Sequence, residues 1–237
     1  MEKQKKYGKC YLCGGAFDRS VMTRHLARCK REHILETPRG GLTGRTFHLV
    51  VEDRYSRAYW LHLEVDTKKT LAALDSFLRE IWLECCGHLS QFIINEKYYT
   101  SSRVDDFGMR SYSMNVPLGK VLTAGMKFVH EYDFGSTTEL VLRVVSEGGF
   151  TGMLKSDEGD EWQKAWGKKG IFLLARNEPP LIKCAVCGEA AAWVCPECVY
   201  DDEGWLCAKC AGNHECGEEM LLPVVNSPRV GVCAYSG

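Results

Sequence analysis

The sequence predicts an α+β central domain with a small cysteine-rich module at each end. Three observations carry that expectation. A chain of 237 residues suits one medium domain with attachments. The thirteen cysteines gather mainly in close pairs near the two ends. Between them, residues 45–178 alternate strand-sized runs of period two with one stretch of helical periodicity.

The C-terminal stretch from Cys184 to Cys216 carries the strongest signal. Cys184/Cys187, Cys195/Cys198, Cys207/Cys210 and His214/Cys216 make four close pairs. A C-x-x-C step sets two sulfurs on one turn of backbone, and two such pairs close a tetrahedral shell, as in structural zinc sites. Two bound zinc ions are therefore expected. They can be shared sequentially or in an interleaved cross-brace. The sequential scheme wraps Cys207–Cys216 around one ion within a cramped segment, so the interleaved scheme is preferred. In it Cys184, Cys187, Cys207 and Cys210 hold one ion, and Cys195, Cys198, His214 and Cys216 hold the other. The order of pairs resembles the B-box class of zinc fingers, over residues 181–219.

At the N-terminus, residues 1–35 read as a third zinc unit. Cys10 and Cys13 form a knuckle, and His25 and Cys29 follow at the spacing that puts both on one helix face. Phe17, Met22 and Leu26 supply the apolar cluster beside the metal. The pattern resembles a zinc finger of the Cys/Cys/His/His type with Cys in the last place, which gives a CCHC finger. Three zinc ions per chain are thus expected.

Charge is unevenly spread although the formal net charge is −1. Residues 1–31 carry Lys3, Lys5, Lys6, Lys9, Arg19, Arg24, Arg28, Lys30 and Arg31 against Glu2 and Asp18. Arg24, Arg28 and Arg31 along the finger helix are the candidates for nucleic-acid contact. Between Cys184 and Cys216 lie Glu189, Glu197, Asp201, Asp202, Glu203 and Glu215 against Lys209. That acidic module repels phosphates and fits a protein partner instead.

The central domain reads in order as follows. Thr37–Gly41 is a turn-rich link, and strands follow at Thr46–Val51 and Ala58–Val65. In the second strand Trp60, His62 and Glu64 alternate with Leu61, Leu63 and Val65, which predicts a half-solvated strand. Asp66 or Thr67 caps a helix to about Cys85, with Leu71, Leu74, Leu78, Ile81, Trp82 and Cys85 as its buried stripe. Cys85 and Cys86 read as packing on that stripe. Gln91–Tyr99 reads as one strand. Lys127–Asp133 and Thr138–Val145 pair as a hairpin around Phe134-Gly135-Ser136-Thr137. Gly170–Arg176 is the final strand, and Pro179-Pro180 ends the domain.

The strand WLHLEVD, the helix from Thr70 with Leu71 and Leu74, and FVHEYDFGSTTEL together carry a resemblance. Over residues 45–178 the chain resembles the Ri-plasmid ORF-three-like family, also described as TnpR-like passengers of mobile elements. The family's Tyr-Asp-Phe-Gly hairpin is met at Tyr132, Asp133, Phe134 and Gly135. Its usual acidic residue, Trp and His are replaced by Ser136, Thr138 and Leu140. The resemblance implies a compact α+β fold and an association with mobile elements, and it brings no catalytic residues.

No apolar run reaches membrane-spanning length. The charged start MEKQKKYGKC predicts no export signal, and paired cysteines without one predict metal binding in a reducing cytoplasm. The tail, residues 220–237, contains Met220-Leu221-Leu222-Pro223-Val224-Val225 and is expected to pack on the body. Cys233 lies beyond the paired ligands and reads as packing or a free thiol. Catalytic potential is confined to His62 with Glu64, and to His130 with Glu131 and Asp133. No nucleophile or open metal position accompanies them, so no catalytic residue is assigned. The expected function is a non-enzymatic zinc-binding adaptor or regulatory protein. A nucleic-acid-binding regulator is the second reading, and a hydrolase or nuclease in the central domain is the third.

Overall fold

The computed structural model describes residues 7–33, 44–102, 111–150, 165–167 and 169–237. The expected link Thr37–Gly41, the basic residues Lys3, Lys5 and Lys6, and much of two polar loops lie outside the described residues. The fold is mixed α+β and mostly sheet. Its strands are β1 (Tyr7–Cys10), β2 (Ala16–Asp18), β3 (Gly44–Asp53), β4 (Trp60–Asp66), β5 (Ser90–Ile94), β6 (Lys97–Thr100), β7 (Ser111–Ser113), β8 (Lys127–Tyr132), β9 (Thr138–Phe150) and β10 (Ile171–Asn177). They form one sheet in the order β2-β1-β10-β4-β3-β9-β8-β5-β6-β7. Helix α1 (Arg19–His33) follows β2, and helix α2 (Leu71–Leu78) follows β4.

Helix α2 is capped by Thr70, whose hydroxyl accepts the Ala73 amide at 3.2 Å. That places the cap three residues after Thr67 and corrects the expected start. The β-branched hydroxyl sits where the first free N–H groups need an acceptor. The helix then widens into a π-helical turn, Arg79–Leu83, and stops at Glu84 in extended backbone. Cys85 and Cys86 therefore lie past the helix, in a turn. Leu71, Leu74, Phe77, Leu78 and Trp82 are fully buried against Phe47, Leu49, Val51, Leu61 and Leu63 of the central strands. This is the main core.

The stretch expected as a single strand from Gln91 to Tyr99 is two strands. Asn95 and Glu96 both adopt positive φ, +48° and +62°, and reverse the chain between β5 and β6. A two-residue turn with both φ positive matches the right-handed twist of a hairpin, and Asn tolerates that region better than most residues. The hairpin of β8 and β9 pairs Tyr132 with Thr138, and β9 continues to Phe150.

The other face of β4 departs most from the sequence reading. Trp60, His62 and Glu64 are buried, with His62 and Glu64 at 2% and 3% exposure. Helix α1 covers them. Cys10, Met22, Leu26 and Cys29 pack with Trp60, Leu174 and Ala175 in a second apolar cluster. Strand β1 pairs antiparallel with β10 (Gly8 opposite Asn177), so the N-terminal ββα unit extends the main sheet. Gly8 permits that docking, because a Cβ there would collide with the Trp60 ring and the Arg176 carbonyl.

The C-terminal module has a separate three-stranded sheet. Its strands β11 (Trp193–Val194), β12 (Trp205–Leu206) and β13 (Leu222–Pro223) run in the order β12-β11-β13. The chain then returns to the central domain. Ser227 donates to the Trp82 carbonyl at 2.6 Å, and Asn226 exchanges hydrogen bonds with Asn177. Fully buried Arg229 meets Asp133 at 2.5 Å, Thr138 at 3.1 Å and the Ser136 carbonyl at 3.0 Å, and stacks over the Tyr132 ring. Among the described residues, no helix is long and apolar enough to cross a membrane.

Candidate metal centres

Four groups of Cys and His converge among the described residues. In each, the ligand atoms all lie within 4.8 Å of one another. Three groups are Cys10, Cys13, His25 and Cys29; Cys184, Cys187, Cys207 and Cys210; and Cys195, Cys198, His214 and Cys216. The sequential sharing of the C-terminal pairs is not the one brought together; the interleaved sharing is. The fourth group joins Cys85, Cys86 and Cys233, which the sequence reading treated as packing or a free thiol, with His88, to which it gave no role.

Local backbone explains each convergence. In the N-terminal unit the turn after Cys10 folds back through a Gly14 amide to Cys10 carbonyl bond of 2.8 Å, with Gly14 at φ +73°. Helix α1 then presents His25 and Cys29 one turn apart. Cys10 and Cys29 sulfurs lie 3.9 Å apart, and Cys13 Sγ is 3.5 Å from His25 Nε2. Phe17 stacks on the His25 ring at 3.6 Å and fixes its plane.

In the C-terminal module each knuckle is closed by a turn. The Gly188 amide reaches the Cys184 carbonyl and the Val199 amide reaches that of Cys195. Cys207 sits at the N-terminus of a short helix, Ala208–Ala211, which carries Cys210. The last pair is the closest in sequence, His214 and Cys216. The Gly217 amide bonds to the His214 carbonyl, and Gly217 at φ +84° turns the chain away. Cys187 Sγ lies 3.6 Å from Cys207 and 3.8 Å from Cys210, and Cys198 lies 3.6 Å from Cys216.

These distances fit a shared cation. Ligands about 2.3 Å from a tetrahedral zinc-like ion stand about 3.8 Å from one another, sulfur to sulfur. The thiols also compete for ionisation. Burial disfavours the Cys184 thiolate, yet amides of Cys207, Cys187 and Val186 outweigh it and bring the thiol down to about 6. Cys210, hydrogen-bonded to Cys207, is pushed up to about 12. Burial likewise opposes the Cys195 thiolate, but hydrogen bonds from the Cys198 amide and His214 bring it to about 7, while Cys198, bonded to Cys216, rises to about 12. Burial raises Cys29 most, followed by repulsion from Cys10. Neighbouring sulfurs cannot all carry charge unaided, and a divalent cation among them removes that repulsion.

The acid–base groupings read from sequence come apart. His130 faces the core and bonds Asp75 at 2.7 Å, where Asp75 also takes Arg79 at 2.8 Å. Glu131 points the other way and accepts from Gln91 at 2.6 Å, and Asp133 is engaged by Arg229. His62 bonds His48 at 2.9 Å, while Glu64 takes Lys30 at 2.9 Å and the Thr46 hydroxyl. Burial, above all, pushes His48 down to about 2 and His62 to about 3, so both rings are neutral. These are satisfied polar groups beneath α1. Of the candidate nucleic-acid contacts, Arg24, Arg28 and Arg31 are all exposed on α1, with Arg28 paired to Glu32 at 2.8 Å.

No protein-family model and no curated protein matches the chain. Among solved structures, a protein of unknown function from Methanosarcina mazei Go1 is similar at 16% identity. Its TM-score is 0.41, and the match covers 53% of this chain and 68% of that one.

Proposed function

We propose that the chain is a non-enzymatic adaptor or regulatory protein whose terminal modules are held by zinc and whose acidic module binds a protein partner. The observation that carries the reading is where apolar surface is left open. Among the described residues nine large hydrophobic side chains are exposed, and five of them, Leu181, Val186, Trp193, Tyr200 and Met220, lie within residues 181–220. Exposed Asp201, Asp202 and Glu203 follow Tyr200 directly. Exposed apolar groups rimmed by charge are the signature of a protein contact surface. Negative charge selects a partner segment that is basic as well as apolar. Zinc suits the donor sets, because four protein ligands of thiolate and imidazole close its tetrahedron and leave no position for substrate. An association with mobile genetic elements enters the proposal from the family resemblance of residues 45–178 alone.

The test is a display library of basic, apolar peptides selected on the zinc-loaded full chain. Selected peptides should lose at least tenfold in affinity for a Tyr200→Ser, Asp201→Lys, Asp202→Lys variant. Selection of no such peptide, or affinity unchanged in the variant, would overturn the reading.

The second reading, nucleic-acid binding, keeps support from exposed Arg24, Arg28 and Arg31 on α1, although Arg28 also pairs with Glu32. Other basic groups of that helix are already committed, since Arg19 pairs with Glu52 and Lys30 with Glu64. Arg24→Glu with Arg28→Glu should abolish a salt-sensitive mobility shift if this surface touches phosphates. A shift that survives the reversal rules the surface out.

A further inference from the structure

The fourth Cys/His group differs from the other three in how it is built. Cys85, Cys86 and His88 come from one turn, and Cys233 comes from the C-terminal tail. The turn is set by the Gly87 amide bonding the Glu84 carboxylate at 2.5 Å, with Gly87 at φ +80°. Cys86 Sγ lies 3.6 Å from Cys85, 3.6 Å from Cys233 and 2.9 Å from His88 Nε2, and Cys233 lies 3.7 Å from the same nitrogen. The sulfur–sulfur separations match those of the other groups, at 3.6 to 3.9 Å. They also match the roughly 3.8 Å edge of a zinc–thiolate tetrahedron. The Cys86–His88 separation is the one departure, shorter than the roughly 3.5 Å expected between sulfur and nitrogen ligands.

Two features argue against coincidence. The tail is held as far as Arg229 by bonds of Ser227 and Arg229, which leaves the placement of Cys233 beyond them to be explained. Cys233 nevertheless adopts φ +56°, a left-handed conformation that costs a non-glycine residue on the order of 1–3 kcal/mol and persists where surroundings demand it. That turn brings its sulfur to the group. A disulfide between Cys86 and Cys233 would use two sulfurs, brought to about 2.0 Å. It would leave Cys85, 3.6 Å from Cys86, and His88, 2.9 Å from it, outside the bond.

We propose that Cys85, Cys86, His88 and Cys233 form a further binding site for a thiophilic divalent cation such as zinc, exchangeable with solvent, that fastens the tail to the central domain. Exchangeability follows from exposure. Each of the other groups has a buried ligand, whereas here Cys86 and Cys233 are exposed and the remaining two are half-buried. An ion at the rim is open to competing ligands without prior unfolding. Three ligands from the core and one from the tail make the ion a link between segments far apart in sequence. The site stands apart from the zinc reading of the two modules.

The experiment uses the full chain, zinc-saturated and kept reduced, with ions counted by native mass spectrometry and release followed with a pyridylazo-resorcinol chelator. The wild type should carry one ion in each of the four groups. One of them should leave at least tenfold faster than the rest. Cys233→Ser and, separately, Cys86→Ser replace exposed side chains, so the fold should stand. Each should hold one ion fewer and lack the fast phase. Three ions with no fast phase in the wild type, or variants indistinguishable from it, would overturn the site. So would a Cys86–Cys233 disulfide that persists under the reducing conditions of the assay. A wild type with a single fast ion that both variants lose would support this site while overturning the zinc reading of the modules.

Discussion

The two cysteine-rich ends use similar ligands but are attached to the molecule in different ways. The N-terminal unit is built into the central fold. Its β1 is a strand of the main sheet, and its Met22, Leu26 and two of its cysteines share an apolar cluster with Trp60, Leu174 and Ala175. The C-terminal module has its own three-stranded sheet, and Val194, Cys195 and Leu206 are buried there outside both apolar clusters. The comparison teaches that a ligand pattern does not set how far a unit relies on metal. Reliance depends on what else the unit buries, since a small module with little apolar core needs another source of stability.

Metal removal breaks the comparison most directly. Structural zinc contributes apparent binding energies of about 10–16 kcal/mol in small modules, so if the module holds zinc as proposed, chelation should melt residues 184–216. Hydrogen exchange after chelation should show loss of protection at Val194 and Leu206, with protection kept at Tyr11, whose amide donates to the Leu174 carbonyl of β10. Equal loss at both ends would mean that the sheet pairing of β1 does not hold the N-terminal unit.

The tail that ties the module down offers a second break point. Arg229 is fully buried with Asp133, and removing one partner of a buried ion pair costs about 3–5 kcal/mol. Burial opposes the Asp133 charge, but Arg229 and the amides of Gly135 and Ser136 overcome it and hold its carboxyl below the usual range. Arg229→Ala should therefore lower the denaturation midpoint of the central domain as well as expose the tail to protease. Faster cleavage of the tail with an unchanged midpoint would show that the arginine anchors the tail without supporting the hairpin.

Legibility followed the same division. The C-terminal ligands were readable because each pair is local, and the interleaved sharing could be preferred from the cramped alternative. Helix α2 and the β8–β9 hairpin were readable from apolar spacing. The burial of His62 and Glu64 was not, because period-two alternation says which residues share a face and not whether another unit covers it. Cys233 was opaque for a related reason. Its partners Cys85, Cys86 and His88 lie far away in sequence, and only the path of the tail brings them together. The paired CC-G-H spelling at residues 85–88 was the one available signal. The Asn95-Glu96 turn was missed because neither residue is glycine.

The covered histidines give the comparison a pH dependence. Burial dominates in both: His48 is held at about 2, with Lys30, His62 and Arg143 adding, and His62 at about 3, with Arg143, Lys30 and Arg19 adding. In the unfolded chain both take up protons near 6.5. Below that pH the unfolded state binds more protons than the folded one, so stability falls as pH falls. The slope reaches up to about 1.4 kcal/mol per histidine per pH unit, beginning just under pH 6.5 and running towards the folded values. Denaturation midpoints between pH 7.5 and 5.5 should fall in the wild type and fall less in His48→Gln with His62→Gln. An identical slope in the double variant would place the acid sensitivity elsewhere.

The smallest expected effect concerns the polar seam of the N-terminal unit. Arg19 at the start of α1 donates its Nε to Glu52 of β3 at 2.7 Å, and the two side chains are 27% and 29% exposed. A pair so open to water gains little, because the Coulomb attraction is screened and two long side chains lose freedom. If strand pairing and the Trp60 cluster hold the unit to the sheet, Arg19→Ala should cost about 0.5 kcal/mol and weaken further dependence on salt. Leu26→Ala in the same helix removes a fully buried side chain and should cost about 2–5 kcal/mol. Chemical denaturation of the two variants at low and high salt measures both. A larger loss for Arg19→Ala than for Leu26→Ala would make charge, and not apolar packing, the means by which this unit is joined to the fold.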